Sequence, residues 1–188
     1  MSEPWRLLHT FEGEPGWNMA LDEALLASPD PRPTLRFYTW RPHALSLGYF
    51  QRWRELGPLP EGLVLVRRFS GGGAIEHSEE LTFSIAAGDA HALFHGEVLR
   101  SYERVHALLA RAFAGFGVHA APRAAATLRS DRPASAMCFH RSTAFDLAWD
   151  GAKGVGSAQR RSKGRVLHHG SIKLAAGALE TDVAGLRA

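Results

Sequence analysis

Three consecutive glycines, Gly71 to Gly73, stand between two runs of strand-forming residues, LVLVRRF (63–69) and LTFSIAA (81–87). Glycine loses more backbone freedom on folding than any other residue and adds no packing area. A helix does not run through such a stretch. The glycines therefore separate two strands, and two readings stay open. Either they close a tight hairpin, or their bare N–H groups converge on an anion or a carbonyl oxygen. The spacings of a phosphate loop or a dinucleotide fold are absent: no lysine–serine pair follows, and no long helix begins there. His77, four residues past the last glycine, is placed to line a pocket or orient a carbonyl, or else is a polar surface histidine.

The rest of the chain reads as strands around two helices. WRLLHTF (5–11), LRFYTW (35–40), ALSLGYF (44–50) and RVLHHGSIKLA (165–175) have strand length and composition. Arg41–Pro42 marks the turn between the second and the third. Asn18 is placed to cap a helix over MALDEALLA, where Leu21, Ala24, Leu25 and Leu26 form an apolar stripe. SPDPRP (28–33) is a loop, because three prolines in six residues stop a helix. HGEVLRSYERVHALLARAFAGFG (95–117) is a helix: Val98, Tyr102, Val105, Leu108, Leu109, Ala112 and Phe113 recur at helical spacing, and Gly115 or Gly117 ends it. RAAATLRSDRPASA (123–136) is a loop, and FDLAWDGAKGVGSAQ (145–159) is a hairpin turning at Asp150–Gly151. After Leu174 the chain offers at most one short helix, so the sheet is expected to lose cover there. The expected fold is α/β of the α+β kind, a largely antiparallel mixed sheet flanked by helices, in one domain over 1–188.

Composition narrows the function classes. Hydrophobic residues make up 45% and charged residues 22%, as in a globular protein of the cytoplasm, the expected compartment. No apolar run approaches the roughly 20 residues of a membrane span, and the N-terminus lacks the pattern of a signal peptide. The net charge of +3 suits an acidic partner. The basic residues are scattered, and the densest group, Arg160, Arg161, Lys163 and Arg165, fits a solvated hairpin tip, so no nucleic-acid partner is expected. One cysteine, Cys138, excludes an internal disulfide and a cysteine-rich zinc site. His168 and His169 are adjacent on a strand and point to opposite faces, so no metal site is expected.

Cys138 lies in the loop-like stretch AMCFHRST. An isolated cysteine is either a small buried hydrophobe or a nucleophile. Lys153, just past the hairpin turn, is placed to face the same pocket. An ammonium beside a thiol stabilises the thiolate and lowers a free-cysteine pKa from about 8.5. A surface lysine in a turn is the other reading. GVGSAQRR (154–161) and HHGS (168–171) put small residues on neighbouring strands, which keeps a groove open or relieves crowding in a bulged sheet.

Five segments, in order, resemble the lipoate–protein ligase and octanoyltransferase family, which shares its catalytic fold with biotin protein ligases. They are GWNMALDEALL (16–26), LRFYTWRPHALSLGYFQ (35–51), RRFSGGGAIEH (67–77), ELTFS (80–84) and CF…GAKGVGSAQRR…LHHGSIKL (138–174). The resemblance implies that Arg68, Ser70, Gly71, Gly72, Gly73 and His77 line an acyl tunnel and hold the acyl head group. Gly156, Ser157, Ala158, His169, Gly170 and Ser171 would form the facing wall, and Lys153 would meet the acyl carbonyl or an adenylate phosphate. In one transferase branch a cysteine in a CF stretch attacks a thioester, and Cys138–Phe139 matches that placement.

The family has two chemistries. A transferase takes an octanoyl (or lipoyl) group from acyl carrier protein and passes it to a lysine of a lipoyl-domain acceptor, with no cofactor. A ligase activates the free acid with ATP and Mg. ELTFS and GSAQRR favour the transferase; SGGGA is nearer the ligase form, and Ser78 replaces the usual aspartate after the histidine. Both carriers are typically acidic, which suits a pI near 9.4. The abbreviated C-terminus motivates a third reading, a partner subunit without catalysis of its own.

Overall fold

Alternation along the strands sets the layers. The computed structural model describes residues 3–187. Its elements are β1 (Arg6–Gly13), α1 (Pro15–Ala27), β2 (Thr34–Trp40), β3 (Ala44–Leu47), β4 (Val64–Arg67), β5 (Ile75–His77), β6 (Glu80–Gly88), α2 (Val98–Ala114), β7 (Ala121–Pro122), β8 (Leu147–Trp149), β9 (Ala152–Ser162) and β10 (Arg165–Lys173). Seven strands form one sheet in the order β1-β2-β6-β10-β9-β8-β7, and β4-β3-β5 form a second. In the large sheet only β1 and β2 run parallel, joined through α1; every other pairing is antiparallel. The expected largely antiparallel mixed sheet with two helices is what the chain forms.

One face of the large sheet carries the apolar core. Phe83, Ile85, Val155, Val166 and Ile172 pack there with Val105 and Phe113 of α2. The other face is polar towards its middle. Arg36, Ser84 and His169 converge there on Asp22 of α1, while Leu25 and Leu26 cover Ala86 and Leu167. Met19, Tyr38, Trp40 and Ala44 join that face to the small sheet. Among the described residues no helix is long and apolar enough to cross a membrane.

Several boundaries differ from the sequence reading. Asn18 does not cap α1. Glu14 does, its carboxylate accepting from the Trp17 N–H, with Pro15 opening the helix. Asn18 is buried instead, donating to the carbonyls of Gly13 and Thr39. β3 stops at Leu47, and residues 48–50 turn away because Gly48 lies against Gly72. The stripe of α2 holds at Val105 and Phe113, whereas Val98 and Leu108 are exposed. Residues 174–187 contain no helix. They return as a strap, with Ala184 N–H donating to Lys153 O and Leu186 N–H to Lys173 O. Val183 and Ala184 of the strap are buried, so that end of the sheet keeps its cover.

Two local features place the site. β4 and β5 both pair with β3, one parallel and one antiparallel, so residues 68–74 cross over β3 rather than close a hairpin. In β9, Ala152 opposes Trp149, Lys153 opposes Ala148, and Val155 opposes Leu147. Gly154 is therefore an extra residue, a β-bulge, which re-aims the remainder of β9.

Candidate active site

The Cys138 loop is stitched to the glycine crossover. Cys138 N–H donates to Ala74 O at 2.7 Å, and Ala74 N–H donates to Ala136 O at 2.9 Å. A side chain on Gly73 would put its Cβ 2.8 Å from both Ala136 O and Cys138 N. The third glycine is thus bare because the cysteine backbone passes against it. Gly71 has nothing within 4 Å of its would-be Cβ and faces open space. Among the described residues, no protein acceptor takes the N–H of Gly71, Gly72 or Gly73.

Lys153 reaches the same sulfur. Its Nζ lies 3.6 Å from Cys138 Sγ and donates to the carbonyls of Cys138 and Arg141 at 3.0 and 3.2 Å. Asp146 Oδ2 stands 2.8 Å from the ammonium. Lys153 is 1% exposed. Burial works against its charge, but the Cys138 sulfur and the Asp146 carboxylate outweigh it and raise the pKa above the ordinary lysine value. Gly156 makes room: a Cβ there would lie 2.8 Å from Lys153 Cε and 3.5 Å from Cys138 Sγ.

A second buried ammonium flanks the same segment. Phe139 lies between Lys153 Nζ, 5.2 Å from its ring centroid, and Lys173 Nζ at 4.6 Å. Lys173 bridges Glu80 at 3.1 Å and Glu180 at 2.8 Å and donates to Glu76 O. Glu180 comes from the C-terminal strap, and its pKa is pushed up chiefly by burial.

His77 belongs to this network. Arg68 donates to Ser46 Oγ at 2.8 Å, which leaves the Ser46 hydroxyl to donate to His77 Nε2 at 2.6 Å. His77 Nδ1–H then donates to Glu80 at 2.5 Å. Burial holds the His77 pKa below the ordinary value against the pull of Glu80, consistent with this neutral tautomer. With both nitrogens engaged and its ring stacked on Trp40 at 3.8 Å, His77 offers a ligand its ring, not a hydrogen bond.

Ser70 ties the glycine crossover to the large sheet. Its hydroxyl is 2.5 Å from His169 Nε2, and His169 Nδ1 is 3.2 Å from Asp22 Oδ2. Burial opposes the Asp22 charge, but His169, Arg36 and Ser84 hold its pKa below the usual carboxylate range. Arg68 is buried with no carboxylate in reach among the described residues; it donates to the carbonyls of Ser46, Gly71 and Gly73.

Two cavities meet here. A narrow slot, with about 20 Å³ free, lies among Met19, Tyr38, Trp40, Arg68, Ile75 and His77 on one side. Thr82, the Gly156–Ala158 stretch and His169–Ser171 close its other side. A wider groove runs from Gly71 and Gly72 past Tyr102, Phe145 and Ser157 to Gln159. Cys138 and Lys153 line neither; they sit behind Gly156, whose missing side chain opens Sγ towards the slot. His168 projects to the opposite face from His169, among Phe83, Phe94 and Tyr102.

Two residues at the site escape a reading by motif. Asp146 is one; it stands two residues before Ala148, the partner of Lys153 across the Asp150–Gly151 hairpin, a signal that pairing along the hairpin exposes. His106 is the other. Its Nδ1 lies 2.5 Å from Phe145 O and must carry the hydrogen, so Nε2 accepts from the Ser157 hydroxyl at 2.5 Å. Burial keeps the His106 pKa below its ordinary value. A polar residue next to Val105 in the buried stripe of a helix was its only mark in the sequence.

The fold is that of the lipoate protein ligases. A T. acidophilum lipoate protein ligase structure with bound lipoic acid superposes with a TM-score of 0.76 at 24% identity, over 99% of this chain and 76% of that one. Lipoate-protein ligase A bound with ATP gives 0.76 at 23% identity, over 99% and 76%. An archaeal bipartite lipoate protein ligase from Thermoplasma acidophilum gives 0.68 at 24%, over 94% and 64%. The chain belongs to the lipoyl protein ligase A/B catalytic domain family, which matches residues 14–179. In sequence it is 42% identical over 183 residues to octanoyltransferase LipM of Moorella thermoacetica and 37% identical over 185 residues to that of Staphylococcus aureus. Each match covers 92% of this chain and 66% of the relative, so the chain spans just under two thirds of their length.

Proposed function

We propose that this chain is an acyltransferase domain. It moves an octanoyl group from acyl carrier protein to a lysine of a lipoyl-carrier domain through a thioester on Cys138. One observation carries the reading: Lys153 Nζ lies 3.6 Å from Cys138 Sγ, held there by Asp146. The likeness to octanoyltransferases at about 40% identity supports it.

The steps balance without an external energy source. Cys138 Sγ, as thiolate beside the Lys153 ammonium, attacks the thioester carbonyl. The unpartnered N–H groups of Gly71–Gly73 are suited to the oxyanion that forms. The carbon–sulfur bond to the donor breaks, and the departing thiolate takes a proton from Lys153. The acceptor amine then attacks the Cys138 thioester, gives a proton to the neutral Lys153 amine, and expels Sγ as thiolate. Thioester exchange is nearly balanced, and amide formation draws the cycle forward. The acyl chain would enter the slot by parting its lining, where the unbranched side chain of Met19 is the most adaptable member. Each buried methylene would contribute about 0.8 kcal/mol.

The alternative within the family is an ATP-dependent ligase. Its observation is Arg68, a buried guanidinium at the slot without a carboxylate partner among the described residues, suited to an adenylate phosphate. In that case Arg68 and Lys153 would hold the phosphate, and ATP and Mg would be required. The intact Cys138–Lys153 pair favours catalysis over a purely supporting subunit.

The test is incubation with octanoyl-acyl carrier protein, without ATP, followed by mass measurement of the Cys138 peptide. Octanoyl mass on Cys138 is expected. Wild-type transfer by Cys138→Ala overturns the covalent route, and acylation that needs ATP and free acid establishes the ligase.

A further inference from the structure

The turn after β3 presents an aromatic and basic surface beside the mouth of the groove. Phe50 is 84% exposed, Trp53 56% and Tyr49 49%. Large aromatic side chains this open, so close together, mark a contact surface. Arg54 lies over the Trp53 ring at 5.3 Å, and Arg160 of β9 lies over Tyr49 at 5.7 Å. Arg52 and Arg67 complete the patch, and among the described residues none of the four arginines forms a salt bridge. Glu55 is the one acid in the turn.

The turn is rigid and wired to the site. Arg67 Nη1 donates to the carbonyls of Gly48, Tyr49 and Gln51, at 3.0, 3.0 and 2.8 Å. Tyr49 N–H donates to Ser70 O, and Gln51 Nε2 donates to Ala136 O, two residues before Cys138. A surface fixed before binding loses less freedom on contact.

We propose that this turn is the docking platform for the acidic acyl carrier domain that delivers the thioester. The proposal rests on the acyltransferase reading above and names the surface its donor uses. Charge selects an acidic partner, because four exposed arginines have no carboxylate partner among the described residues and lie with three exposed aromatic side chains. Distance selects the donor over the acceptor. Arg160, against Tyr49, is four residues along β9 from Gly156, or about 13 Å at strand rise, and Gly156 faces Cys138 Sγ. A pantetheine-length thiol arm spans that distance through the groove. The side chain of a lysine does not, so its carrier must close directly over the sulfur.

The experiment compares Cys138 acylation by octanoyl-acyl carrier protein with acylation by the octanoyl thioester of N-acetylcysteamine, which has no carrier domain. Variants are Arg52→Glu with Arg54→Glu, and Phe50→Ala with Trp53→Ala, checked for unchanged melting temperature. The half-saturating carrier concentration is expected to rise at least tenfold in each pair, with the small thioester acylating at the wild-type rate. An unchanged carrier dependence overturns the proposal. So does equal loss with the small thioester, or slowing confined to release by the lipoyl domain, which assigns the platform to the acceptor. If neither donor leaves an adduct on wild-type Cys138, the covalent reading itself fails and the platform falls with it. A normal adduct with unaffected variants rejects the platform alone.

Discussion

Lys153 and Gly156 stand three residues apart on β9 yet face the same side of the sheet, so closely that a Cβ at Gly156 would come 2.8 Å from Lys153 Cε and 3.0 Å from Nζ. Gly156→Ala therefore displaces the end of a flexible side chain rather than backbone. The melting temperature should change by no more than a few degrees, while acylation of Cys138 falls at least tenfold as Nζ leaves Sγ. Rapid-quench mass spectrometry of the acyl-enzyme, read beside a thermal melt, separates the two effects.

Gly73→Ala makes the contrasting case. Its Cβ meets the backbone of Ala136 and Cys138 at 2.8 Å, and neither yields cheaply. This variant should lose both stability and acylation, with a lowered urea midpoint. An unaltered midpoint would show that the crossover and the cysteine loop slide past each other.

Asp146→Asn removes the carboxylate that offsets burial of Lys153. The lysine pKa is raised in the native protein, so its loss of partner lowers it. The alkaline limb of the acylation profile should move to lower pH. Leaving the buried ammonium with the Cys138 sulfur as its nearest compensating group should destabilise the fold by about 1–3 kcal/mol. A pH–rate profile and a denaturant titration check the two parts.

The two ammoniums beside Phe139 should behave differently when each becomes methionine. Lys173→Met strands Glu80 and Glu180 in the interior and should cost about 3–5 kcal/mol, while the folded fraction still acylates. Lys153→Met should abolish the adduct. Acylation normalised to folded protein, from circular dichroism, distinguishes them.

His168 makes stability depend on acid. It is fully buried among aromatic rings, its Nε2 has no partner among the described residues, and burial holds its pKa well below the ordinary value. The unfolded chain binds that proton more readily than the native one. The contribution is complete above about pH 6.5 and is lost as pH falls towards the native pKa, at up to about 1.4 kcal/mol per pH unit. His168→Phe should flatten the fall in urea midpoint between pH 6.5 and 5. Parallel curves for the two proteins would show that another group titrates.

The strands, both helices and the Asp150–Gly151 hairpin were legible because each rests on local pattern: alternation, helical spacing, a turn dipeptide. The approach of Lys153 to Cys138 was one of two open readings, because the hairpin sets where Lys153 sits and the course of the Cys138 loop depends on its bonds to Ala74. What escaped depends on distant chain. Glu14 displaced Asn18 as the cap because Asn18 is consumed by the Gly13 and Thr39 carbonyls. Glu180 looked like part of a bare tail, yet it bridges Lys173 and accepts from the Glu76 N–H, 104 residues away in sequence. The glycine run left hairpin and cradle open, because its crossing of β3 depends on which strands pair.

The extra residue at Gly154 turns a question of residue identity into one of parity. Run residues 152–156 as a regular strand with every residue retained, and Lys153 and Val155 fall on one face; with Val155 kept in the core, Lys153 would be turned into that same core, away from Cys138. The chain would keep its cysteine, its lysine and its glycine at Gly156, with a hairpin that still closes. A homologue whose strand does not bulge between that lysine and that valine would carry the whole catalytic inventory and should still be inert, so an inventory of side chains is a weaker guide to activity in this hairpin than one irregularity of its backbone.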